Sequence, residues 1–474
     1  MFWSHRCILW YRWPRTQVVP LIDRGDGMAG TEGLFAELPD QAIPPAPGRG
    51  VPRLRRPERH QPGWQIAAID DLVARDHAVR AVWAFAQDLD LQALDEAVKA
   101  REGVPGQAPA EPALMMALWL WATVDGVGSA RQLARLCEQH LAYRWLCGGV
   151  SMNYHTLSDF RVAHAALLDR LLAGGVATLV EAGLVQLDLL AQDGLKVRAA
   201  AGAASFRRHR RLHELEAVAS ARVARLRAEL DSDPAADDRR QRAAQERAAR
   251  ERQQRVQAAL ERMKELQAER ARRIKTNKAE VSKQKEPRAS TTDAAARVMK
   301  MADGGFRPAY NVQIVSAPKS QVIVAVDIDT SGSDRGLARP ALERLGRAGT
   351  TPSDYLVDGG FTKNEDIEWA HAGGVKLWCP PAQSKHGSDP YAPRRDDKPG
   401  VADWRRRMAS EPGKALYKLR STAECPNAWA RRMGLSHLGV RGQSKVRAVL
   451  LWFALAHNML RAFALRRAIT AAAT

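Results

Sequence analysis

The sequence predicts a mixed α/β protein that carries a long helical, coiled-coil-like insertion and is preceded by an all-α region. Three observations carry this. From about residue 66 to 175, apolar residues recur at helical spacing in short segments separated by Gly-containing turns. From Leu184 onward, strand-like and helical runs alternate in the order β, insertion, β, β, α, β, α, β, α, α. Between Ser205 and Ser290 the chain is almost free of Gly and aromatics and rich in Ala, Arg, Glu and Gln, the composition of a solvated helix.

Composition narrows the function. The 474 residues suffice for two to four domains, and 45% apolar content excludes wholesale disorder. Five scattered cysteines without a CxxC pair argue against a disulfide scaffold or a structural zinc site, and for a reducing cytoplasm. No run of 18 apolar residues is present, so no membrane span is expected. Lys and Arg number 72 against 53 Asp and Glu, a net charge of +19. Such an excess points to a polyanionic partner, nucleic acid first. Residues 205–290 hold more than half of it, with 24 basic against 14 acidic side chains.

The expected layout follows the chain. Residues 1–62 form an unpatterned N-terminus and linker. The first 27 are aromatic and basic with no apolar h-region, so no signal peptide is expected, and Met28 is an alternative start. Residues 38–62 are rich in Pro and Arg. Residues 63–180 form an all-α, DNA-binding domain: a helix over 72–89, an apolar helix over 113–122 opened by Pro112, one over 130–137 capped by Ser129, and one starting at Thr156 or Ser158 and running to Arg170. The segment 154–161 can begin a DNA-contacting helix through His155 and Arg161. Residues 181–470 form the α/β domain, interrupted by 205–290. Within the insertion, Leu212, Leu215, Val218, Leu226 and Leu230 make one sparse apolar stripe and Val256, Leu260, Met263 and Leu266 another, on either side of Asp233-Pro234. Two helices joined at a Pro turn predict an antiparallel hairpin, either a basic arm against DNA phosphates or a surface for self-association.

In the α/β region, strands are expected over 185–194, 310–315, 322–328, 355–358 and 375–379. Helices are expected over 334–347, from near Lys363, over 414–432 and over 444–465, with a polar loop at 384–400. Two strands end in an acid followed by glycine, Asp193-Gly194 and Asp358-Gly359-Gly360. Strand ends are where α/β sheets place working groups, and a small residue lets a metal or phosphate approach the backbone. A third acid, Glu424, lies on a helix with Tyr417, Arg420 and Arg431 at i, i+3, i+7 and i+14, a polar stripe unsuited to a core. Two Asp and one Glu are hard oxygen ligands suited to Mg²⁺ or Mn²⁺, able to serve phosphodiester chemistry, with Arg420 and Arg431 on phosphates.

These motifs resemble the DDE insertion-sequence transposases of bacteria, in the group with a Tyr-x2-Arg-x3-Glu-x6-Lys signature. That signature is present as Tyr417, Arg420, Glu424 and Arg431, with Arg in place of the last Lys. The stretches 292–300, 305–313, 440–458 and 126–161 resemble the family as well. The resemblance implies an RNase H-like catalytic domain in which Asp193, Asp358 and Glu424 are catalytic and hold Mg²⁺ or Mn²⁺. It implies that Tyr417, Arg420 and Arg431 contact DNA. It also implies double-stranded DNA (terminal inverted repeats and target) as partner, a homodimer in the DNA complex and a cytoplasmic, nucleoid-associated location. The alternatives are a non-catalytic DNA-binding protein derived from such an element, or a nuclease of the same fold. His457, Asn458 and the cysteines read as packing residues.

Overall fold

The structure, a computed structural model, describes residues 68–100, 103, 108–232, 236–276, 286–382 and 389–473. The expectations for residues 1–62, for the Asp233-Pro234 turn and for part of the 384–400 loop lie outside the described residues.

The first helices gather around one that is apolar on every side. They are α1 (Ala78–Gln87), α2 (Gln92–Ala97), α3 (Pro112–Val124), α4 (Ala130–Gln139), α5 (Leu141–Cys147), α6 (Tyr154–Ala163) and α7 (Ala165–Glu181). Pro112 opens α3, and every residue from Ala113 to Ala122 is buried. A helix without a polar face has to be enclosed, and α1, α5 and α6 pack on it. Ser129 caps α4 as expected, its hydroxyl accepting from the Gln132 N–H. The helix expected to start at Thr156 or Ser158 and reach Arg170 is instead two helices. Asn153 caps α6, and the chain breaks at His164. Arg161 turns inward: its guanidinium lies 4.8 Å over the Trp119 ring and donates to the Gly128 carbonyl. His155 is exposed.

Strand β1 (Leu189–Arg198) leads through the two-residue β2 (Phe206–Arg207) into α8 (His209–Ser232) and α9 (Ala236–Thr276), and the chain returns through β3 (Ala289–Ser290). Contacts Gln253–Ser220 and Arg227–Glu246 run in opposite directions along the two helices, so the hairpin is antiparallel, as expected. Leu212, Ala219, Val223 and Leu226 are buried on α8, and Val256, Leu260, Met263 and Leu266 on α9. Val218, expected in the stripe, is 64% exposed. It lies one position, about 100°, off the seam that Ala219 occupies.

The main sheet then forms from β1, β4 (Arg297–Lys300), β5 (Phe306–Ser316), β6 (Ile323–Asp329), β7 (Asp354–Leu356) and β8 (Lys376–Trp378). Its order is β4-β5-β1-β7-β8, with β6 also on β5. β5 runs antiparallel to β1, β4 and β6, whereas β7 and β8 run parallel to β1. Helices α10 (Ala338–Arg347) and α11 (Asn364–Ala372) make the crossovers, so the mixed α/β class is as read. The first strand is displaced. It starts at Leu189 rather than Val185 and continues past Asp193 to Arg198, because β5 offers partners for all eight residues from Ala191 to Arg198.

After β8 come α12 (Pro399–Ala409), α13 (Glu411–Tyr417), a 3-10 segment (Lys418–Ala423), α14 (Glu424–Arg432) and α15 (Gln443–Ala473). The single helix expected over 414–432 is therefore interrupted by a tighter turn between Tyr417 and Glu424. α15 is long and apolar enough to cross a membrane, but it is mostly buried inside the protein. It packs on α3, α6 and α7 and also on β6, so one helix serves the helical core and the sheet. Asn458 fixes it there, accepting from the Ile323 N–H and donating to the Ile323 carbonyl.

Candidate active site

Strand register brings the first two acids together. Ala191 of β1 pairs in parallel with Leu356 of β7. Two residues further along each neighbouring chain stand Asp193 and Asp358. Asp358 follows the end of its strand, as expected, and its Oδ1 accepts from the Gly360 N–H at 2.7 Å. Asp193 does not end a strand; it sits in the middle of β1, opposite Ile314 of β5. Its glycine therefore has a different use from a turn. A Cβ at Gly194 would lie 2.5 Å from Asp334 Oδ1 and 3.0 Å from Gln313 Nε2, so only a bare backbone admits these groups.

Those groups belong to a polar network beneath β1, on the face opposite Asp193. The Tyr355 hydroxyl donates to Gln192 Oε1 at 2.9 Å, and Gln192 Nε2 donates to Gln313 Oε1 at 2.7 Å. Gln313 Nε2 and Asn311 Nδ2 both donate to Asp334 Oδ1, at 3.0 and 2.7 Å. The network ties β1 to β5 and β7 at the level of the acids, and a fully satisfied buried network holds one register.

The third acid arrives from the far side of the chain. The 3-10 segment and α14 pack against β1, which sets Glu424 and Arg420 over Asp193. The Arg420 guanidinium then touches all three acids. Its Nη2 lies 3.0 Å from Asp193 Oδ1 and 3.7 Å from Asp358 Oδ2, and its Nη1 lies 3.1 Å from Glu424 Oε1. Asn427, one turn past Glu424 on α14, donates to Asp193 Oδ2 at 2.8 Å. Sequence reasoning missed Asn427, although its i+3 spacing from Glu424 was the available signal.

Environment differentiates the acids. Asp193 is buried, and burial pushes its carboxyl up to about 6; Arg420 and the Gly194 N–H oppose this, while the charges of Asp358 and Glu424 add to it. The Asp358 side chain is 39% exposed and that of Glu424 is 65% exposed, so the cluster opens to solvent on their side. Tyr417 is half-buried, and burial pushes its phenol up to about 12. It donates a 3.1 Å hydrogen bond to the carbonyl of Val357, next to Asp358. Arg431, at the C-terminal end of α14, is exposed, and among the described residues no ion pair joins it to the acids. Of the residues singled out in sequence, five converge and Arg431 stands apart.

The donor chemistry suits a divalent ion, since three carboxylates from three parts of the chain face one another. Among the described residues, however, no three such side chains are gathered tightly enough to hold an ion by themselves. The Arg420 guanidinium lies between them.

Comparison with known proteins finds two matching families. The transposase DDE domain family matches residues 274–459, a span that includes Asp358, Glu424 and Arg420 and begins beyond Asp193, on the far side of most of the insertion. A second family, described as a transposase domain (DUF772), matches residues 67–163, the helices up to α6. No curated protein and no solved structure matches the chain. The two matches, a DDE domain over β4 to β8 and the helices after them and a transposase domain over the preceding helices, place the chain among the DDE insertion-sequence transposases.

Proposed function

We propose that this transposase belongs to the group bearing the Tyr-x2-Arg-x3-Glu-x6-Lys signature, binds the terminal inverted repeats of its own insertion sequence, cleaves the DNA strands there and joins the 3′-hydroxyl to target DNA. The observation that supports this is the convergence of Asp193, Asp358 and Glu424 on Arg420. Asp193, Asp358 and Glu424 are the residues that would hold Mg²⁺ or Mn²⁺. When bound, such ions activate a water or a 3′-hydroxyl and stabilise the leaving oxygen of a phosphodiester.

The chain's own residues do the rest. Strand register and the network beneath β1 keep Asp193 level with Asp358. Asn427 fixes the rotation of the Asp193 carboxylate. Tyr417 holds the Val357–Asp358 bend and presents its ring beside the DNA near the cut. Arg420 and Arg431 bind phosphates, Arg by paired N–H donors. Residues 63–180 supply end recognition and residues 181–470 the chemistry. Two-ended chemistry implies a homodimer on DNA, working on the nucleoid in the cytoplasm.

The test is Asp193→Ala in a Mg²⁺-dependent cleavage assay on terminal-repeat DNA. Cleavage is expected to be lost while a gel-shift assay still detects end binding; retained cleavage would overturn the assignment. Wild-type cleavage without preference for the repeats would identify a general nuclease. Binding without cleavage under any divalent ion would identify a DNA-binding protein only.

A further inference from the structure

Arg420 occupies a position that the DNA-binding role alone does not explain. Its nitrogens point at acids rather than outward: Nη2 reaches Asp193 and Asp358, and Nη1 reaches Glu424. Its side chain is only 17% exposed. We propose that Arg420 is a built-in counter-cation: its guanidinium sits among the three acids that would hold a divalent cation, and it gives way when that cation binds. The inference rests on the reading of Asp193, Asp358 and Glu424 as the metal ligands.

Electrostatics requires some such partner. Three carboxylates brought together, one of them buried, repel one another in a medium less polarisable than water. A single positive charge in contact with all three offsets that repulsion.

The contact is also built to be released. Asp193 Oδ1 already accepts two N–H groups, from the Gly194 backbone at 2.9 Å and from Arg420 at 3.0 Å. Two donors match the two lone pairs of a carboxylate oxygen. The Gly194 N–H is fixed within β1, so Arg420 is the partner that can leave. Asp193 keeps its orientation without it, because Asn427 holds Oδ2. The guanidinium charge is permanent, so an arriving divalent cation cannot be accommodated by a lost proton; the side chain has to move. Its Nε–H is buried and, among the described residues, finds no acceptor. The acid-bound pose therefore leaves a donor unused, and a pose on a DNA phosphate can employ it. Metal loading and phosphate capture are coupled through one side chain.

The experiment is titration calorimetry of Mn²⁺ into the full-length protein without DNA, for the wild type, Arg420→Gln and Arg420→Lys, each also combined with Asp193→Asn. Removing one unit charge from among the ligands is expected to tighten Mn²⁺ binding about tenfold or more in Arg420→Gln. Lys keeps the charge but cannot fork across three acids, so Arg420→Lys should shift the same way by less. That variant still decides the matter if the Gln protein fails to fold. In EDTA the Arg420→Gln protein should unfold at a lower temperature than wild type, and Mn²⁺ should raise its midpoint by more. Mn²⁺ affinity that depends on Asp193 but is unchanged or weakened in the Arg420 variants would overturn the counter-cation. A gain that survives Asp193→Asn would overturn the ligand assignment beneath it.

Discussion

Asn427 donates a 2.8 Å hydrogen bond to Asp193 Oδ2, while the other oxygen of the same carboxylate faces Arg420. The bond spans α14 and β1, so a helix that carries one acid also aims another. Asn427→Ala would leave a buried carboxylate oxygen without its donor. With Asp193 as a metal ligand, as proposed, removing such a partner should cost about 10–100-fold in activity or metal affinity. Cleavage of terminal-repeat DNA should fall by that order with end binding unchanged in a gel shift. Full activity in Asn427→Ala would show that Asp193 is oriented by other means.

Gly194 is predicted to tolerate no side chain. A Cβ there would press on Asp334 Oδ1 at 2.5 Å and disturb the network that keeps β1 in register. Gly194→Ala should destabilise the fold by about 1–3 kcal/mol, the usual range for overpacking. Asp334→Ala should be costly alone yet less than additive with Gly194→Ala, because it removes the obstructing atom. Urea unfolding of the four proteins in the cycle measures this, and strict additivity would refute the clash.

The insertion enters and leaves through paired strands: Arg207 pairs with Ala289, and Phe206 with Ser290. It can therefore be excised by joining Arg207 to Ala289 with a two-residue Asn-Gly turn, a connection suited to antiparallel strands. If the hairpin lies on DNA, the shortened protein should bind with a shallower salt dependence. Each lost phosphate contact reduces the log–log slope by about 0.9. Fluorescence anisotropy at several salt concentrations reads the slope, and an identical slope would assign the hairpin to protein contacts.

His457 sets an acid limit on stability. It is fully buried on α15, its Nε2–H donates to the Gln321 carbonyl at 2.8 Å, and burial pushes its pKa down to about 4. In the unfolded chain the ring titrates near 6.5. Above pH 6.5 it is neutral in both states and costs nothing. As pH falls from 6.5 towards 4, only the unfolded chain takes up the proton, so stability is lost across that window, by up to about 1.4 kcal/mol per pH unit. His457→Gln, which retains a donor, should flatten that part of the curve relative to wild type. Parallel curves for the two proteins would place the acid sensitivity elsewhere.

Much of the site could be read from the sequence because its acids stand in short local motifs. Asp358-Gly-Gly after a strand, and Glu424 spaced from Tyr417 and Arg420, need only local geometry. What escaped depends on contacts between distant segments. Asp193-Gly194 reads as a strand end because Asp-Gly is a common turn after a strand; here the glycine makes room for Asp334, on the far side of the sheet. Asn427 gains its role only because α14 crosses β1. Arg420 was expected on phosphates, and its place among the acids follows from the 3-10 segment that turns it inward. Val218 was misplaced by one position because Ala219, a weaker apolar signal, occupies the seam between the helices.

The stalk of the insertion has a consequence for how the chain reaches its fold. Ser205 and Ser290 meet hydroxyl to hydroxyl at 2.7 Å, although the whole helical hairpin lies between them. β1 must find β5 across that same interval, and closing a long loop before any contact rewards it slows folding. Helices form and pair early from local contacts. Once the hairpin has zipped, its two ends stand side by side, and the search that remains for β1 and β5 is that of a short connection. On this account, variants that melt the hairpin seam at Leu212 or Met263 should slow refolding of the sheet before they alter its final geometry.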